Sequence, residues 1–191
     1  MSVVIVERIW ERRHTGEELL TIYRNTSWCF GAHGVRSRVH ILATDGFRGC
    51  CMLDAPDVEA VRMARRSLGV SDPERLWAAT VHGPLRTVDD LSRRAAVTAP
   101  GAALVLVERS FGEPVRLGEG ESEGGPVCQD RNGVELLTCF FSFDRRRMVC
   151  LFQAADVDSV CRASTRMGLP FDRAWAATVH FDDEPGERRL S

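Results

Sequence analysis

Trp77 to His82 read Trp-Ala-Ala-Thr-Val-His, and the same six residues return at Trp175 to His180. Upstream of each copy the agreement continues in register. Val6-Glu7-Arg8 matches Val107-Glu108-Arg109, Cys29 with Gly34 and Val35 matches Cys128 with Gly133 and Val134, and Asp45 matches Asp144. Cys51 then matches Cys150, Ala55 and Asp57 match Ala154 and Asp156, and Gly69 matches Gly168. A unit written twice is expected to fold the same way twice, and each copy is short enough to bury only a modest core alone. Two copies packed face to face is therefore the expected arrangement, divided into a first repeat at 1–83, a linker at 84–103, a second repeat at 104–181 and a tail at 182–191.

Within the first repeat, Val3 to Ile9 is β-branched and nearly continuous, as in a central strand covered on both faces. Thr15 followed by Glu18 is a capping-box pair, and the apolar spacing from Leu19 to Phe30 predicts a helix over 16–32. Residues 35–42 alternate as a strand, with Arg36, Arg38 and His40 on one face, and Asp45-Gly46 turns the chain back along Phe47 to Leu53. A second helix opens at Asp54 to Pro56, with Val58, Val61, Met63, Ala64 and Leu68 inward, and Leu76 to His82 is the last strand. Strand, helix, strand, strand, helix, strand is the ferredoxin-like βαββαβ order, so the fold class is α+β.

The second repeat follows with strands at 104–108, 133–141, 148–152 and 174–180 and a helix at 156–167, and the linker carries a short helix at 88–95. Its first helix is broken by glycines 118, 120, 124 and 125 and by Pro126, each unfavourable inside a helix. A mobile loop at 116–125 and one short helix from Pro126 are expected there, with the loop as the entrance for a ligand. Glu119, Glu121 and Glu123 in the glycine-rich stretch would repel a phosphate, so it is no nucleotide loop.

Composition excludes more than it assigns. A formal charge of -2 is no nucleic-acid footprint. The absence of lysine removes pyridoxal phosphate chemistry and the P-loop. The first apolar run, Val3 to Val6, is too short for a leader or a membrane span, which points to a cytoplasmic protein. Seven cysteines without a C-x-x-C pair suggest neither a secreted disulfide framework nor a zinc ribbon.

The sequence V-E-R, a helix with a central cysteine, G-V, a hairpin ending C-x-x-x-A-(P/A)-D and a closing W-A-A-T-V strand together resemble an actinobacterial ferredoxin-like domain family described as nickel-binding and otherwise of unknown function. That family assembles as a dimeric α/β barrel, so tandem copies imply an intrachain pseudo-dimeric barrel, as a monomer or as a homodimer of it. The resemblance also implies nickel.

Candidate chemistry comes from strand register. Counting outward from Asp45-Gly46 places His40 opposite Cys51, and the same register in the second repeat places Cys139 opposite Cys150. Imidazole and thiolate at that spacing suit a transition metal such as nickel, zinc or copper, although a buried cysteine is equally a small hydrophobe. Glu7 and Glu108 end apolar strands, and His82 and His180 close theirs, so these four are the candidate acids and bases. Arg36 and Arg38 are candidate holders of an anionic ligand or cofactor. Trp77 and Trp175 read as core anchors. The expected function is binding of a small ligand or transition metal. The alternative is a cofactor-free barrel enzyme, a monooxygenase, isomerase or cyclase acting on an aromatic or polyketide-like substrate. A third reading is an interaction module without pocket chemistry. Expected partners are a small molecule or metal ion, with no nucleic acid and no membrane.

Overall fold

A computed structural model of the chain describes residues 2–70, 75–95, 101–115 and 133–182. The expected loop at 116–125, the helix expected from Pro126 and the tail beyond 182 lie outside the described residues. In chain order the elements are β1 (Ser2–Ile9), α1 (Gly16–Ala32), β2 (Arg36–Ala43), β3 (Arg48–Ala55), α2 (Val58–Ser67), β4 (Arg75–His82), α3 (Val88–Ala95), β5 (Ala103–Ser110), β6 (Glu135–Ser142), β7 (Arg147–Ala154), α4 (Val157–Arg166) and β8 (Arg173–Phe181).

The strands form a closed barrel in the order β1-β3-β2-β8-β5-β7-β6-β4, antiparallel throughout. Each half of the chain contributes four neighbouring strands, and the pairings β2 with β8 and β4 with β6 close the ring. Closure removes every sheet edge. Period-two alternation then sorts side chains between two environments. Ile5, Ile41, Cys50, Trp77, Leu106, Leu151 and Trp175 belong to one cluster that fills the barrel. Val4, Val6, Cys51 and Leu53 face outward with Tyr23 and Phe30 of α1 and Val61 of α2. Val105, Val107, Cys150 and Phe152 do the same with Val160 and Ala163 of α4. Strands covered on both faces explain why the apolar runs from Val3 and from Leu104 are continuous rather than alternating.

Helix α1 starts as its sequence dictates. The Thr15 hydroxyl accepts the Glu18 N–H at 3.2 Å, the Glu18 carboxylate accepts the Thr15 N–H at 2.9 Å, and Leu19, Tyr23 and Phe30 face the sheet. Helix α2 is capped by Asp57, which accepts the Ala60 N–H at 2.8 Å. Met63, expected inward, is 49% exposed. Val61 and Ala64 define the buried face, and two residues beyond Val61 the helix has turned about 200°, toward solvent. The linker helix α3 is more than a crossing, because Leu91 joins the barrel-interior cluster with Leu85 packed against it. Among the described residues no helix is long and apolar enough to cross a membrane.

The two halves also meet outside the ring. A Cβ built on Gly16, at the start of α1, would overlap the imidazole of His180 on β8. Gly16→Ala is therefore expected to destabilise the protein by about 2 kcal/mol, a fall of roughly 4–8 °C in Tm. His180→Ala in the same chain should recover most of that loss. Calorimetry of the two single variants and the double variant checks this, and strictly additive losses would mean that the helix start and β8 do not touch.

Candidate functional site

The odd positions of β1 and the even positions of β5 point into the barrel, which carries Glu7 and Glu108 inward with Ile5 and Leu106. Both carboxylates are buried, and each is met by the same two donors from the neighbouring strand. Glu7 accepts the Trp77 indole N–H at 2.6 Å and lies 3.3 Å from the Arg75 guanidinium. Glu108 accepts from Trp175 at 2.8 Å and lies 3.4 Å from Arg173. Arg75 also comes within 4.0 Å of Glu108, so one guanidinium spans both carboxylates. Burial raises the Glu7 pKa; the Trp77 hydrogen bond opposes that rise and the Glu108 charge adds to it. Trp77 and Trp175 are core anchors, as expected, and also indole donors. The interior beyond them is packed with apolar side chains, Phe140, Met52 and Cys50 among them.

The histidines expected to work with these acids face the other way. His82 and His180 occupy even positions on β4 and β8, outside the barrel, where each shares a hydrogen bond with its neighbouring threonine, Thr80 at 2.8 Å and Thr178 at 2.9 Å. Burial lowers the pKa of both, with Arg145 and Arg86 adding to the effect at His82. The sheet therefore stands between the carboxylate pair and the histidine pair.

The cross-strand register is the one counted from the turns: His40 opposes Cys51 and Cys139 opposes Cys150. The four do not converge, however, because the first pair lies under α1 and the second belongs to the outer layer of the other half. Cys139 and Cys150 are joined in a disulfide, which removes both from the expected set of thiolate ligands. Cys51 is a thiol whose pKa burial raises, and it receives a hydrogen bond from Tyr23. Among the described residues no group of three or more His, Cys, Asp or Glu side chains is placed to hold a metal ion.

Strand parity predicts Ser37 and His40 on opposite faces, yet they touch. A bulge between Ser37 and Val39 shifts the register by one residue. It brings the Ser37 hydroxyl to 2.7 Å from His40 Nε2. It also separates the two candidate arginines. Arg36 lines a cleft outside the barrel, whereas Arg38 reaches a barrel mouth and pairs with Asp54 at 3.3 Å. The expectation that Arg36, Arg38 and His40 share one face fails for this reason. His40 is fully buried with its ring 4.1 Å from that of Tyr23, and burial, helped by His180 on the opposed strand, lowers its pKa to about 4.

The cleft has a volume of about 380 Å³ and lies between α1 and the start of β2. Tyr23, Phe30 and Val35 supply its apolar lining, and Arg24, Arg36 and Ser37 are among its polar lining. Tyr23 and Phe30 also line a cavity of about 280 Å³ that Arg8 and Arg65 share. The part of Tyr23 and Ser37 was missed in the sequence, and a half-apolar, half-polar spacing at Tyr23, Phe30 and Ser37 is the only trace it leaves there.

No family model matches the chain, and no curated protein matches it by sequence. Among solved structures it is similar to a protein assigned as a chlorite dismutase, at 9% identity and TM-score 0.42 over 94% of both chains. It is also similar to the siroheme decarboxylase NirDL, solved with an iron-uroporphyrin III analogue, at 11% identity and TM-score 0.42 over 93% of this chain and 70% of that one. At such distances neither likeness bears on chemistry.

The two buried groups give stability opposite dependences on pH. Glu7, raised in the fold above its ordinary 4.5, contributes stability that is complete below that value and is lost as pH rises through its folded pKa. His40, lowered from 6.5 to about 4, contributes stability that is complete above pH 6.5 and is lost as pH falls toward 4, roughly 3 kcal/mol in all. Urea unfolding between pH 4 and 7 should show Glu7→Gln flattening the decline toward neutral pH and His40→Gln flattening the acid limb. Superimposable profiles for both variants and the parent would rule this assignment out.

Proposed function

We propose that the protein binds a small organic molecule in the cleft between α1 and β2, and that the barrel is an intrachain pseudo-dimer of two ferredoxin-like repeats in which the first repeat carries the site. The observation that carries this reading is the cleft itself. Its volume falls in the range of small-molecule sites, about 300–1,000 Å³, and both aromatic and polar side chains line it. In the second half the positions matching Ser37 and His40 are Leu136 and Cys139, on a strand with the same bulge, so the hydrogen bond between Ser37 and His40 is particular to the first half.

A metal is the weaker reading. His40 and Cys51 would supply two ligands, and both are already engaged, with Ser37 and with Tyr23. Nickel therefore rests on the family resemblance alone. The enzymatic reading has one observation in its favour: the Glu7 and Glu108 carboxylates share Arg75, and the Glu7 pKa is raised by burial, as suits an acid or base.

Gly31 separates these readings. It lines the cleft on α1, and a Cβ built there meets nothing within 4 Å. Gly31→Leu should fill the cleft and leave Tm unchanged or higher, since leucine favours a helix more than glycine does. Ligand-observed NMR against a panel of small aromatic acids, amides and alcohols is expected to find binders whose affinity falls at least about tenfold, 1.4 kcal/mol, in this variant. Binding that survives Gly31→Leu but is lost in Glu108→Gln would move the site into the barrel.

A further inference from the structure

Resting on that reading of the cleft, we propose that its ligand is a carboxylate with an apolar body, and that the Ser37 hydroxyl donates a hydrogen bond to the carboxylate while His40 acts as the positioning residue. The argument turns on where the His40 ring carries its proton. The ring is buried, and its Nδ1 has no hydrogen-bond partner among the described residues, whereas Nε2 has Ser37. A proton on Nδ1 would bury a donor with no acceptor. A proton on Nε2 leaves only a lone pair unmet, which folded proteins tolerate more often.

Nε2–H therefore donates to Ser37 Oγ. A hydroxyl has one proton to give, and with His40 occupying one of its lone pairs that proton turns away from the ring and toward the cleft. Ser37 thus presents a donor whose direction is set from below. The same tautomer leaves His40 unable to take the Ser37 proton, so the pair is a recognition device and not a nucleophile with its base. Arg24 and Arg36 line the same cleft, whose lining holds the single carboxylate of Asp182, and two guanidinium groups to one carboxylate favour an anion over a neutral carbonyl. Tyr23, Phe30 and Val35 in the same lining accept an aromatic or aliphatic body.

The test uses the intact chain with two probes of one shape, 2-naphthoate and 2-naphthalenemethanol, titrated by fluorescence. The wild type is expected to bind the acid at least about tenfold more tightly than the alcohol. Ser37→Ala should lose roughly tenfold or more for the acid, the range of one hydrogen bond to a charged group, with a smaller change for the alcohol. Ser37→Thr, which keeps the hydroxyl, should restore the acid. The ¹⁵N shifts of the His40 ring supply a readout that a packing role would not move, and Nε2 is expected to carry the proton. Equal affinity for the two probes, equal losses in Ser37→Ala, or a proton on Nδ1 would each overturn the proposal while leaving the cleft as the site. Binding of neither probe would remove the cleft reading itself.

Discussion

The structure depends on ring closure. β2 with β8 and β4 with β6 are the pairings that convert two four-stranded sheets into one barrel, and both join residues more than 50 positions apart. Without them each sheet would present two open edges and one bare apolar face to water, a state that invites aggregation. With them every strand has a neighbour on both sides and each side chain falls into one of two environments. The polar chemistry is sorted by the same rule, since parity sends Glu7 and Glu108 inside and His82 and His180 outside.

Placing two carboxylates inside a packed barrel costs free energy unless each charge or proton is met by a partner. The interior meets them symmetrically. A tryptophan indole and an arginine reach each glutamate from the adjoining strand, and Arg75 bridges the two. The Trp-Ala-Ala-Thr-Val-His hexapeptide is thereby explained in part. Its tryptophan fills the core and satisfies the glutamate of the V-E-R strand beside it, so the two repeated motifs form a single contact in each half.

What could be read in the sequence was whatever rests on local periodicity and on repetition. The 16–32 helix with its Thr15 and Glu18 cap, the 88–95 helix, and the opposition of His40 with Cys51 and of Cys139 with Cys150 all follow from spacing and turn counting. The bulges could not be read, because one extra residue in a strand leaves composition unchanged and reverses the parity of everything before it. Ser37 was therefore assigned to the wrong face and Arg38 was grouped with His40. The disulfide was hidden for a different reason. Opposed cysteines read equally as a thiol pair, a metal site or a bond, and spacing does not choose among them. The indole bond to Glu7 was also out of reach, since a carboxylate at a strand end looks solvated until the neighbouring strand is known.

A motif written twice in the sequence need not keep two copies of one site. At the bulge, Ser37 and His40 in the first half stand where Leu136 and Cys139 stand in the second. Under the outer helices, Arg109 is held by Ser164 and by the carbonyls of Leu169 and Pro170, whereas the first half has Arg8 and Arg65 at the matching places, lining a cavity. Likeness is kept on both faces elsewhere, with Glu7 and Trp77 inside answered by Glu108 and Trp175, and Val4, Val6 and Cys51 outside answered by Val105, Val107 and Cys150. Interior positions are coupled across the barrel, because a change in one half alters the packing and charge that the other half meets. Outer positions meet their own helices, and at Gly16 and His180 they also meet the other half. The difference at the bulge is local: under α1 the strand carries Ser37 hydrogen-bonded to His40, and at the matching bulge of the second half Leu136 and Cys139 offer no such pair, so one half can hold a polar group that the other does not.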